Sequence, residues 1–129
     1  KSNLVFNIIN QIISNSKITL GNISPKRDFI FISDVIAGLI KIINSKNNGF
    51  QIYNIGSGKS ISIENLVKNC FTVSNKKLKI ISLKEKKRKN EIMNIQANIS
   101  KMKKEFNWET EVSLKKGLEI TYNHYFSKI

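Results

Sequence analysis

The run Gly56-Ser57-Gly58-Lys59-Ser60 is the stretch of this sequence whose residue types most suggest chemistry, because glycines beside a lysine and serines can hold phosphate. A phosphate-wrapping loop needs the spacing Gly-x-x-x-x-Gly-Lys-Ser/Thr, so that successive backbone N–H groups surround the anion. With Gly58-Lys59-Ser60 as its end, the first glycine would fall at 53, where Tyr53 stands. The helix that follows is expected to start at Ser62 rather than directly after the lysine. A dinucleotide fingerprint also fails, because Ile61 occupies the place of its third glycine. The run therefore predicts a tight strand-to-helix turn in which glycine supplies positive φ.

Other reactive residue types are scarce. Cys70 is the single cysteine and lies in Asn-Leu-Val-Lys-Asn-Cys-Phe, where it reads as a small buried apolar residue. His124 is also alone and reads as a surface or packing residue, so no metal site is expected. The chain carries a net charge of +13, and half of its 22 basic residues fall between Lys76 and Lys104, densest in the run Lys84-Glu85-Lys86-Lys87-Arg88-Lys89. Such a balance suits a polyanionic partner: nucleic acid, acidic lipid or a phosphorylated ligand. A composition biased toward Lys, Asn and Ile accounts for much of the charge without a purpose.

The elements that must position these residues alternate in period. At 129 residues the chain is one domain's worth, able to bury somewhat under ~70% of its unfolded surface. Residues 3–14 place Leu4, Val5, Ile8, Ile9, Ile12 and Ile13 at helical spacing. Ile18 to Leu20 reads as a short strand closed by Gly21-Asn22, and Phe29 to Ile32 as a second strand after Pro25. Asp34 is expected to cap a helix with apolar Val35, Ile36, Leu39, Ile40, Ile42 and Ile43, so many that burial on more than one side is implied. Phe50 to Ile55 reads as a strand, Ser62 as the cap of a helix through Phe71, and Leu78 to Leu83 as a half-exposed strand. A short helix over 100–106, Trp108 as a core residue, and a last helix capped by Ser113 complete an α/β architecture. No apolar run approaches the ~18 residues of a membrane helix, and the amino end reads as an amphipathic helix, not a signal peptide.

Four segments, in register and in order, resemble the carboxy-terminal half of the extended short-chain dehydrogenase/reductases that act on nucleotide sugars. They are LGNISPKRDFIFISDVIAGL (20–39), YNIGSG (53–58), KRKNEIMNIQANISKMKKEFNW (87–108) and VSLKKGLEITYNHY (112–125). The first and third look most like the GDP-mannose 4,6-dehydratases and GDP-4-keto-6-deoxymannose reductases. Lys89 stands where the family's Arg-Pro-x-Glu has proline, and Asn98 where an aspartate is common, which loosens the assignment to a subfamily.

The resemblance implies that Arg27 and Arg88, the only arginines among 20 lysines, hold the substrate's diphosphate. Planar arginine grips phosphate oxygens by bidentate, charge-assisted hydrogen bonds. It implies that Glu91 accepts from ribose hydroxyls, and that Asn3, Leu4, Leu20 and Asn54 approach the nucleotide. The family's chemistry also needs NAD or NADP in a glycine-rich turn and a Tyr-x-x-x-Lys pair. The tyrosines are Tyr53, Tyr122 and Tyr125, and none is followed by lysine at the required spacing. The resemblance thus implies residues 1–129 as a substrate-binding lobe whose amino-terminal Rossmann half is missing, with no catalytic or cofactor residues of its own. The whole enzyme would be a cytoplasmic homodimer acting on a GDP-, UDP- or CDP-sugar. Over-apolar helix faces would pack against the missing half, and the isolated chain is expected to expose them and self-associate.

Two rivals belong to other classes. A basic nucleic-acid-binding module would use Lys84 to Lys89 and nearby lysines, yet residues 76–104 contain no aromatic, and no zinc-finger, RNP or helix-turn-helix pattern is present. A non-catalytic interaction domain would differ only in whether a partner supplies the missing half.

Overall fold

The computed structural model describes residues 3–46, 49–83 and 90–127. Among the described residues five helices and four short strands follow in the order α1 (Leu4–Ser14), β1 (Lys17–Leu20), β2 (Lys26–Asp28), α2 (Ile32–Ile43), β3 (Ser60–Ser62), α3 (Ile63–Ser74), β4 (Lys79–Ser82), α4 (Ser100–Phe106) and α5 (Leu114–Phe126). None of these helices is long and apolar enough to cross a membrane.

The main core forms where the helical stripe of α1 meets two other helices and a strand. Ile8, Ile9 and Ile12 of α1, Ile18 and Leu20 of β1, Leu66, Val67 and Cys70 of α3, and Leu118 and Tyr122 of α5 are buried together. Burying each such aliphatic side chain stabilises the fold by ~1.5–3 kcal/mol before chain entropy is set against it. β1 pairs in parallel with β4, Ile18 opposite Ile80. On β1, the Gln11 amide binds both backbone groups of Thr19, donating to its carbonyl at 3.3 Å and accepting from its N–H at 2.7 Å, as a neighbouring strand would.

Local signals explain most boundaries. Ser62 and Ser113 accept from the N–H of Asn65 and Lys116 and so cap α3 and α5. Asn75 and Asn107 take the left-handed conformation that ends α3 and α4. Cys70 is buried in the main core and Trp108 in a second, smaller cluster with Ile99 and Met102, in keeping with the sequence reading.

Five expectations are corrected. The second strand is Lys26–Asp28, paired antiparallel with Ser60–Ser62, and not 29–32. Phe29 instead packs on the main core and Ile30 on the smaller one, so this apolar run spans two cores without a ladder. Residues 60–62, expected as turn and cap, form β3, of which Ser62 is both last residue and helix cap. Asp34 does not cap α2, whose N-cap is Phe31 with no side-chain bond. The Asp34 carboxylate is buried and accepts from the N–H groups of Glu111 (3.3 Å) and Val112 (3.2 Å), tying α2 to the approach to α5. Finally, residues 50–55 form no strand among the described residues, and α2 buries only Asp34 and Gly38.

Candidate nucleotide-binding site

The site begins with β2. Its first residue, Lys26, accepts β3 on one side and the 93–95 segment on the other: Lys26 N–H donates to the Met93 carbonyl (2.7 Å), and Ile95 N–H donates back to the Lys26 carbonyl (3.1 Å). This short backbone pairing brings Glu91 next to Arg27 although 64 positions separate them in the chain.

Arg27 is fixed by its backbone surroundings. Nη1 donates to the carbonyls of Lys26 (2.7 Å) and Ile92 (2.8 Å). Nη2 lies 3.9 Å from the Glu91 carboxylate, close enough for attraction and too far for a hydrogen bond. The Nε–Nη2 edge of the guanidinium, a planar fork suited to two oxygens of one phosphate, makes no hydrogen bond among the described residues. Glu91 is held in turn by Asn22, whose Nδ2 donates to Oε2 at 2.8 Å, leaving Oε1 on the Arg27 side. The side chains are 24% and 14% exposed, so the pair is reachable yet only partly screened by water.

Asp28, the next residue, is turned to a different task. Oδ1 accepts from the Ser57 N–H (2.8 Å) and the Ser57 hydroxyl, while Oδ2 accepts from the N–H groups of Gly58 (3.0 Å) and Ala97 (3.1 Å). One carboxylate thereby joins β2, the glycine turn and the end of the segment that carries Glu91. Gln96 adds a bond from Nε2 to the Gly58 carbonyl. Gly56 approaches so closely that a Cβ there would lie 2.5 Å from the Ala97 Cβ, and Gly58 has φ +71°. The amides of Ser57 and Gly58 that a phosphate loop would offer to its anion are therefore spent on Asp28. The turn carries the positive φ its glycines led one to expect, at Gly58, but it leads into β3 and not directly into a helix.

Of the residues expected at the site, Arg27 and Glu91 stand together. Leu20 ends β1 in the main core, two residues before the Asn22 that binds Glu91. Asn3 caps α1, its Oδ1 accepting from Val5 N–H at 3.0 Å, and Leu4 packs on the main core. Asn54 donates to the Asn98 carbonyl at 3.2 Å, beside the smaller cluster and not on the Arg27–Glu91 pair. Arg88 lies outside the described residues. Asn22 and Asp28 escaped the sequence reading. Both lie within the 20–39 segment already singled out, and each is a short polar side chain flanking a strand end, but their partners lie 29 to 69 residues away.

Comparison with known proteins places this arrangement. A family model described as GDP-mannose 4,6 dehydratase matches residues 2–121. A UDP-glucuronate 4-epimerase of Thermodesulfobacterium geofontis is 35% identical over 121 residues, covering 92% of this chain and 36% of the relative. The structure of RMD from Pseudomonas aeruginosa complexed with NADPH superposes with a TM-score of 0.89 at 19% identity, over 98% of this chain and 43% of that one. A UDP-glucuronic acid 4-epimerase from Bacillus cereus, in complex with UDP-glucuronic acid and NAD, has a TM-score of 0.87 at 26% identity, over 99% of this chain and 41% of that one. The α/β fold is that of part of these larger enzymes, and the chain spans well under half the length of each.

Proposed function

The chain belongs to the GDP-mannose 4,6 dehydratase family, among the NAD-dependent nucleotide-sugar epimerases and dehydratases, and on that premise we propose that it holds the nucleoside diphosphate of a nucleotide sugar. In this reading it is the substrate-binding part of an NAD(P)-dependent epimerase, dehydratase or reductase. The observation that carries the reading is the Arg27–Glu91 pair: an anchored guanidinium with a free planar edge, beside a carboxylate oriented by Asn22.

The chemistry follows from the donor and acceptor types. Arg27 is always charged and presents its Nε–Nη2 edge to two oxygens of the diphosphate. Because Nη1 is already bound to two carbonyls, little side-chain entropy remains to be lost when substrate arrives. Glu91, an acceptor only, suits the paired hydroxyls of the ribose, and its charge keeps the arginine from turning away. Arg88 supplies a second cation to the same diphosphate. Leu20, Asn3, Leu4 and Asn54 are proposed to border the nucleotide, Asn3 through its remaining amide nitrogen. In this reading the dinucleotide and the proton-transferring pair are held outside these 129 residues.

Calorimetric titration of the native gene product with UDP and GDP tests this reading. Two charge-assisted bonds at ~1.5–3 kcal/mol each, reduced by competing water, put the loss for Arg27→Ala on the order of 10- to 100-fold in affinity. Arg27→Lys restores the charge and not the fork, so it recovers only part. Reversing the charges of Lys84, Lys86 and Lys87 leaves affinity within a few-fold. An Arg27→Ala variant that binds as tightly as wild type removes the basis of the proposal, and loss confined to the lysine reversal points to a basic nucleic-acid module instead.

A further inference from the structure

The parallel pair of β1 and β4 has two unlike edges. The outer edge of β1 is closed by Gln11, whose amide takes both backbone groups of Thr19. Beside β4, the Leu83 N–H donates to the Leu20 carbonyl at 2.8 Å, so the alternation of a strand turns the backbone groups of Ile80 and Ser82 away from β1. Among the described residues no further strand lies along that side of β4. The N–H and C=O groups of Ile80 and Ser82 thus line an open edge.

The charge beside that edge is of one sign. Ile80 packs on the main core, which places Lys79 and Ile81 on the opposite face of β4. On β1, Lys17 stands in register with Lys79 and Thr19 with Ile81. Lys17 and Lys79 are exposed, as is Lys77 two residues ahead of Lys79. None of these three lysines is in an ion pair with a described residue. Like charges directly opposite on neighbouring strands destabilise their pairing. Solvated lysines need no explanation singly, but two set against each other alongside an open edge cost stability that a nearby carboxylate would return.

We propose that this edge receives an extended acidic segment of a partner protein, added to β4 as a third strand. Ile80 and Ser82 supply the backbone pairing, and every second side chain of the segment falls on the face that carries the lysines. The order along that face, Lys77, Lys79 and then half-buried Ile81, asks for two acidic residues followed by an apolar one at alternate positions. Lys17 lies one strand further and adds to the attraction. A second copy fits less well, because it brings the same lysines and a net charge of +13. An inorganic polyanion would engage the ammonium groups and leave the edge unpaired. Edge lysines discourage apolar and basic strands from docking, so the same residues select the acidic one. None of these groups is among those proposed to hold the nucleotide.

Fluorescence anisotropy of the labelled peptide Val-Thr-Glu-Thr-Glu-Thr-Val with the native gene product tests the surface, the peptide's symmetry serving either strand direction. Saturable binding is expected at low salt, where attraction is least screened. Lys77→Glu with Lys79→Glu is expected to weaken it on the order of 10-fold while Trp108 emission stays native. The milder Lys79→Gln, with a loss of about threefold, covers failure of the double variant to fold. N-methylation of the peptide's internal amides keeps its charge, removes its ladder donors and should abolish binding. Amide exchange reads the pairing itself: with peptide bound, Ile80 and Ser82 are expected to exchange on the order of 10-fold slower, and Leu83, already bonded to β1, to stay unchanged. Absence of binding overturns the proposal, as does equal binding of the N-methylated peptide or indifference to the lysine substitutions. Tighter capture of a single-stranded oligothymidylate through the same lysines also overturns it, in favour of a nucleic-acid surface.

Discussion

Replacing Asp28 by alanine removes the acceptor for four donors at once: the Ser57 N–H, the Ser57 hydroxyl, and the N–H groups of Gly58 and Ala97. Hydrogen bonds to a charged group each contribute ~1.5–3 kcal/mol net, and a buried donor left without a partner costs ~1–3 kcal/mol. Asp28, Ser57, Gly58 and Ala97 are all half-buried, so water reaches some of the orphaned donors and the losses do not add. The expected destabilisation is ~3 kcal/mol, a large share of the ~5–15 kcal/mol that holds a domain together. With a urea slope of ~2 kcal/mol per molar, the unfolding midpoint falls by ~1.5 M. Trp108 is buried in the smaller cluster and its fluorescence reports the transition. Asp28→Asn makes the test sharper. In either amide orientation one oxygen serves two of the donors while an NH2 group faces the other two, so about half the loss is expected with almost no change in shape. A wild-type midpoint for Asp28→Ala, at an unchanged slope, refutes the argument. A wild-type midpoint for Asp28→Asn refutes the part of it that rests on acceptor count.

Two further outcomes follow from the same packing. Gly56→Ala puts a Cβ 2.5 Å from the Ala97 Cβ and 2.9 Å from Asp28 Oδ2, an overlap expected to cost ~1–3 kcal/mol in thermal unfolding. Ala97→Gly in the same chain removes the nearer collision and should return part of that loss. Burial pushes the Cys70 thiol from 9.0 up to about 12, so a thiol reagent at pH 8 is expected to label it only once urea unfolds the protein. Because the folded pKa is the higher one, this contribution to stability is whole below pH 9.0 and is lost as pH rises toward about 12. Within that window the decline is ~1.4 kcal/mol per pH unit, and denaturation at pH 8 and pH 10 should show it in the wild type and not in Cys70→Ala.

The helices were legible because their signals are local. A stripe at helical spacing marks α1 and α5, and a serine three residues before the N–H it binds marks the starts of α3 and α5. β2 was not legible, since Lys26-Arg27-Asp28 has no apolar alternation and its pairing partners lie at 60–62 and 94. Phe29 to Ile32 draws the strand assignment instead, being apolar for a different reason: Phe29 packs on the main core and Ile30 on the smaller one. Asp34 was misread because an acid before an apolar run looks like a cap until its carboxylate is seen to bind two amides 77 and 78 residues away. The candidate site divides the same way. Arg27 and Glu91 stood out by residue type and motif, whereas Asn22 and Asp28 act through partners that only the folded chain brings near.

Residues 50–55 and α2 differ from these cases. Their pattern reads as strand and as helix buried on more than one side; the first forms no strand among the described residues, though Tyr53 and Ile55 pack on the smaller cluster, and the second is a helix that buries only Asp34 and Gly38. What differs is the environment. Hydrophobic periodicity reflects the surroundings in which a chain is stable, and an aliphatic stripe costs solubility unless something covers it. Lys101 ties residues 51–53 to α4 with two hydrogen bonds and a ring contact at the border of the smaller cluster. The period of the side chains in both segments is thus the one the sequence displays, while the burial that usually accompanies such a period is absent from α2 beyond Asp34 and Gly38.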